Sequence, residues 1–214
     1  MSRPDRAERR EYFIDVVGVL VADDGLAAVT MERVAVMAQV SKPVLYSHFP
    51  DRGALLTALL ERCWRELDAA VQERLRAARS LDDSLRSLVT GYFDELSRQG
   101  RVLQLMVSSG WHESSVDAAR RKRHRAAERE WSRFYQQRIG LPPAVADAAA
   151  AILRASLQGA AAHWLDDPNG DRDEAIETCL VIMRAGLDRL RRVHREPGAP
   201  SAGPGRRRLA RARS

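Results

Sequence analysis

Cysteine is nearly missing from this chain. Among 214 residues only Cys63 and Cys179 occur, each on an apolar helical face. They read as buried reduced thiols, which argues against a disulfide framework and for a reducing compartment. Long apolar runs are missing too: the longest charge-free stretches are about eleven residues, against the ~20 a helix needs to cross a bilayer. The N-terminus is charged and its first apolar run carries Asp15, which no signal peptide tolerates well. These absences predict a cytoplasmic protein that is not embedded in a membrane. Catalytic signatures are equally scarce. The chain has no HExxH, no nucleophile elbow and no glycine-rich phosphate loop. His112–Glu113 stands alone, and the five histidines show no metal-ligand spacing. No enzyme, cofactor or metal site is expected.

A real excess of positive charge over the body of the chain is also lacking. The formal net charge is +6, but residues 195–214 hold six arginines against one glutamate. Residues 1–52 hold seven Lys/Arg against eight Asp/Glu. Global charge therefore says little about nucleic acid, and only the placement of basic residues can. From residue 196 the composition turns to Pro, Gly, Ala and Ser and then RRRLARARS, without apolar periodicity. That predicts a disordered basic tail over 195–214. It either adds salt-sensitive attraction to DNA or has no role.

What the chain does have is apolar residues at helical spacing almost throughout. Phe13, Val16, Val17, Leu20 and Val21 share one face of a first helix over residues 3–24, which Gly25 ends. The stretch from Thr30 to Phe49, TMERVAVMAQVSKPVLYSHF, then organises everything else. Thr30 is a good N-cap for a helix over 31–38, Gln39 to Ser41 make a turn, and a second short helix follows over 42–49. Val34, Ala38, Val40, Leu45 and Phe49 face inward across both, and small Ala35 lets them cross closely. Ser41 is placed to cap the second helix and Pro43 sits in its first turn, where a missing N–H costs little. Two short helices, a tight turn and a small crossing residue make a helix-turn-helix.

On these residues, V-S-K-P-V-L-Y-S-H-F-P-D-R-G-A-L-L, the chain resembles the TetR family of bacterial transcriptional regulators from about residue 13 to 60. One departure is Gln39, where glycine is frequent; a non-glycine residue with positive φ costs roughly 1 kcal/mol. The second helix should expose Lys42, Pro43, Val44, Ser47 and His48. Lys42 suits guanine O6/N7, and Pro43 and Val44 suit thymine methyls. The resemblance implies phosphate contacts from Tyr46, His48 and Arg52. Against these stand a packing role for Tyr46 and an ordinary exposed histidine for His48. Thr30 offers a hydroxyl and a helix N-terminus to phosphate. Arg33 faces out as either a phosphate ligand or a solvated charge, and Ser41 is a cap or a contact.

The remaining periodicity predicts helices over 51–78, 80–98, 102–108, 116–139, 144–165 and from the acidic turn 166–173 to 193. The whole is an all-α fold of about nine helices. A head over 1–52 would join a ligand-binding and dimerisation domain over 53–194. In the last helix Ile176, Leu180, Met183, Leu187 and Leu190 recur at 4-3-4-3 spacing, a coiled-coil-like seam. Before it, Ile152, Ser156, Gly159, Ala160 and Trp164 allow close approach. Both sets could be plain core; the resemblance implies a four-helix homodimer contact instead. Tyr92, Phe93, Met106, Trp111, His112, Trp131 and Tyr135 are either core or the lining of a small-molecule effector cavity, which the resemblance implies. The run RRKRHR at 120–125 goes all round a helix, so a solvated face is favoured over a patch for an anionic effector. The expected function is a repressor released from a palindromic DNA operator by a mostly apolar effector. The alternative is a helical nucleic-acid- or protein-interaction module without an effector.

Overall fold

A computed structural model describes residues 5–99, 102, 114–167 and 169–195. All elements among them are helical, with eight α-helices and one 3-10 turn. Helix α1, Arg6–Asp24, opens with a reciprocal cap. Asp5 accepts from the Glu8 N–H at 2.8 Å, and Glu8 accepts from the Asp5 N–H at 3.0 Å. Gly25, at φ +81°, stops it. After the 3-10 turn Leu26–Ala28 come α2, Met31–Met37, and α3, Lys42–Tyr46. Thr30 caps α2 as expected, accepting from the Arg33 N–H at 3.1 Å. Gln39 takes φ +53°, so the turn is made without glycine. Phe13, Val17, Val34, Leu45, Phe49, Leu55 and Leu56 are all buried in one head core.

Helix α4, Arg52–Ala77, starts at Asp51, which accepts from the Ala54 N–H at 2.7 Å. It belongs to the head at one end and packs on α5, Leu81–Gln99, and α6, Ser114–Ile139, at the other. The Ser80/Asp83 reciprocal cap forms before α5, each side chain accepting from the other's N–H at 3.0 Å. Gly140, at φ +72°, ends α6. Helices α7, Pro143–Asp166, and α8, Arg172–Arg195, complete the body, with α7 on α6 and α8 against α5 and α7.

Several expectations change. Helix α3 stops at Tyr46 and not Phe49, the chain continuing as turns closed by Ser47 and Phe49 N–H donors to Pro43 and Leu45 carbonyls. Ser41 makes no side-chain cap there. Position 52/53 lies in the first turn of α4, as in the expected helix over 51–78. Residues 103–108 of the predicted helix over 102–108 and the tail from 196 lie outside the described residues.

Candidate nucleic-acid interface and effector cavity

Helix α3 presents Lys42, Pro43, Tyr46 and Ser47 to solvent while Leu45 is buried. Val44 and His48 are half-buried. This alternation follows from Leu45 and Phe49, four apart, being the residues that must leave water. The Ser47 hydroxyl donates to the Val44 carbonyl at 2.7 Å, which fixes its rotamer on the outer side. His48 packs edge-on against Phe13, ring centroids 5.3 Å apart. Burial, then the Arg6, Arg9 and Arg10 charges, hold its pKa below the usual histidine range. Arg6 donates to the Ser47 carbonyl at 3.2 Å, and Arg10 lies 4.3 Å over the Phe49 ring. The start of α1 thus braces the end of α3. Sequence reasoning missed these three arginines; their signal was a basic R-x-x-R-R turn opening a helix beside the motif.

The expected cationic contacts are less available than exposure alone suggests. Lys42 Nζ donates to Glu32 at 2.6 Å and Arg33 pairs with Asp24 at 2.6 Å, all four side chains near half exposed. Phosphate would have to compete with these carboxylates. Arg52 bonds within its own chain. Its Nε donates to the Val29 carbonyl at 2.6 Å and its Nη2 to the Leu26 carbonyl at 2.7 Å. Both carbonyls lie in the segment entering α2, so the guanidinium is committed to holding the head together. Thr30 spends its hydroxyl oxygen on the α2 cap.

In the body, α4, α5, α6 and α7, with Met183 of α8, line a partly open cavity of about 130 Å³. Three of the nominated aromatics, Tyr92, Trp131 and Tyr135, line it, joined by Trp64. Phe93 does not: it is fully buried in the core against Trp164, centroids 5.4 Å apart. Met106, Trp111 and His112 lie outside the described residues. Arg123 and His124, from the basic run expected to be solvated, turn into the cavity wall. Arg121, Lys122 and Arg125 of the same run are exposed, and Arg120 pairs with Asp117 at 2.6 Å.

Residues 19–59 match the model of the bacterial regulatory proteins of the tetR family. The HTH-type transcriptional activator FasR of Mycolicibacterium smegmatis is 28% identical over 191 residues, 88% of this chain and 87% of FasR. The HTH-type transcriptional regulator BetI of Paraburkholderia xenovorans is 32% identical over 157 residues, 72% of this chain and 80% of BetI. The chain belongs to the TetR family. It is a DNA-binding transcriptional regulator with a helix-turn-helix, and not an enzyme. The TetR fold runs beyond the head: a transcriptional regulator of Rhodococcus sp. Rha1 superposes with a TM-score of 0.70 at 22% identity, over 84% of this chain and 96% of that one. No helix among the described residues is long and apolar enough to cross a membrane.

For this TetR protein the expected dimer residues divide between the chain's own interior and its surface. Ile176, Leu180, Met183 and Leu187 are all buried within the single chain, Leu180 completely. Their 4-3-4-3 seam packs α8 onto α5 and α7, and a side chain already buried in its own subunit has no surface left for another. Trp164 packs inward on Phe93, and Ser156, Ala160 and Leu190 are half-buried. The open apolar stripe of α7 keeps two of the expected residues, and that of α8 lies one step round the helix from the seam. On α7 it comprises Ile152, at 63% exposure, with Ala155 and Gly159; on α8, Val181 at 60% and Ile182 at 59%, with Ala185. Gly159 and Gly186 have open space where a Cβ would stand.

Proposed function

We propose that this protein is a cytoplasmic repressor that dimerises, binds a palindromic operator and leaves it when a small, mostly apolar molecule fills the cavity. The carrying observation is the position of α4. One helix begins at the Arg52 clamp in the head and contributes Trp64, Leu67, Val71 and Leu75 to the cavity wall. A ligand that prefers a different α4 placement would shift the head by its differential affinity for the two states. The cavity favours this over an interaction module without an effector.

The dimer face we assign to the exposed stripes of Ile152, Ala155 and Gly159 on α7 and Val181, Ile182 and Ala185 on α8. Large apolar side chains at about 60% exposure beside open glycines suit an isologous helix-helix contact. Two heads related by a two-fold axis would set their α3 helices in successive major grooves, about 34–36 Å apart. Residues 1–52 would then be the reading head and 53–194 the regulatory body.

Footprinting the purified protein on the DNA flanking its own gene tests this. We expect protection of a two-fold symmetric site. Lys42→Ala should relax base preference by roughly 1–3 kcal/mol at one position of each half-site, whereas Tyr46→Phe should weaken all sequences alike. Unchanged affinity in both variants would remove α3 from the interface. FasR is named as an activator; the sign for this chain is read by transcription from the footprinted promoter with and without the protein.

A further inference from the structure

Hydrogen-bonding roles in the cavity are sorted, and the sorting limits what fits. Each of its two carboxylates holds a bond: Asp68 accepts from Arg123, and Glu130 accepts from Gln72 at 3.2 Å. Not all of its donors do. Arg123 holds Asp68 through Nη2, while its Nε is buried with no acceptor among the described residues. Arg154 donates to Gln158 Oε1 at 2.6 Å, so the Gln158 amide nitrogen, 3.1 Å from His124 Nε2, is the donor of that second contact. An imidazole accepting at Nε2 carries its proton on Nδ1. Burial, then the Arg154 and Arg120 charges, push the His124 pKa down to about 4, so the ring is neutral at pH 7. Burial pushes the Tyr92 phenol up to about 12, so it too remains a donor.

Size narrows the choice further. Arg154, Arg123 and Arg120 are each paired with a carboxylate, Glu128, Asp68 and Asp117, so the preference for an acceptor rests on the open donors. About 130 Å³ is close to the ~150 Å³ that encloses a single benzene ring. Trp64, Tyr92, Trp131 and Tyr135 provide ring faces and edges for offset or T-shaped contact.

We propose that the effector is a small aryl carboxylate, its one ring held among Trp64, Trp131 and Tyr135 and its carboxylate accepting from Arg123, His124 and Tyr92. This rests on the reading of the cavity as an effector site. A neutral hydrocarbon would leave the open donors buried and unpaired, and an amine would add a donor where acceptors are needed.

Calorimetric titration of the full chain with phenylacetate, phenethylamine and octanoate tests it, with footprinting run on the same preparation. Phenylacetate should bind saturably, about tenfold or more tighter than phenethylamine and about threefold or more tighter than octanoate. Tyr92→Phe, which keeps the ring and loses one donor to a charged acceptor, should weaken phenylacetate about tenfold with an unchanged melting temperature. Equal or tighter binding of the amine overturns the carboxylate, and a match by octanoate overturns the ring. Unchanged affinity in Tyr92→Phe overturns the placement. No saturable binding of phenylacetate by about 10 mM, with the footprint intact, sinks the ligand class and leaves the DNA-binding reading standing. Loss of the footprint in the unmodified protein strikes that reading instead.

Discussion

Lys42 is held by Glu32, and two exposed charges of opposite sign on neighbouring helices make a bond that DNA must share or break. The bond holds the Glu32 carboxyl below its usual range. Glu32→Gln should therefore tighten binding to all duplexes, up to about fivefold at low salt, and steepen the salt dependence. Fluorescence anisotropy on operator and scrambled DNA across a salt series checks this; a gain confined to the operator would mean that Glu32 orients Lys42 for base reading. Arg52 is the opposite case, since its donors meet backbone carbonyls that lie away from solvent. Arg52→Met should cost about 2–3 kcal/mol by leaving those carbonyls unpaired. Urea unfolding should show the loss, and a stable variant with lost DNA affinity would restore its phosphate role.

At the scale of elements, the head was legible and the body only partly so. Thr30, Gly25, Asp51 and the Ser80/Asp83 pair are local signals, and each acts within three or four residues of its place in the chain. Leu45 and Phe49 likewise announced the inner face of α3. The side chains of Arg52, Arg123 and His124 could not be assigned this way, because their partners lie 23 or more residues off. The α8 seam misled for a physical reason. A 4-3-4-3 pattern reports which face is dry but not whether the dry partner is the same chain. Ile176 to Leu187 answered the first question while the dimer argument needed the second. Ile182→Glu should accordingly give a monomer by sedimentation at micromolar concentration, with its melting temperature within a few degrees. Leu180→Ala should instead cost about 2–5 kcal/mol of stability. The reverse pairing of outcomes would return the interface to the seam.

For the whole molecule, His124 links acidity to folding. Its folded pKa, about 4, lies below the ordinary 6.5. Between these values the unfolded chain takes a proton that the folded chain refuses. Its contribution is thus complete above pH 6.5 and is lost as pH falls toward 4, by about 1 kcal/mol per pH unit after allowance for solvent screening. His124→Gln should flatten that limb in urea midpoints measured from pH 7 to 4.5. Phenylacetate, if seated beside the ring, should flatten it less, since it leaves the neutral imidazole in place.

The Arg52 clamp has a mechanical consequence. At 26 residues, α4 is a rod about 39 Å long. Pivoted at its cavity half, about 26 Å from Arg52, and tilted by about 7°, it would sweep its other end through about 3 Å, well beyond what a hydrogen bond to phosphate tolerates. Arg52 rivets that end to the carbonyls of Leu26 and Val29, so the lever cannot slip past the reading helix. A subtle rearrangement around a bound ring would thus become a loss of register on the duplex.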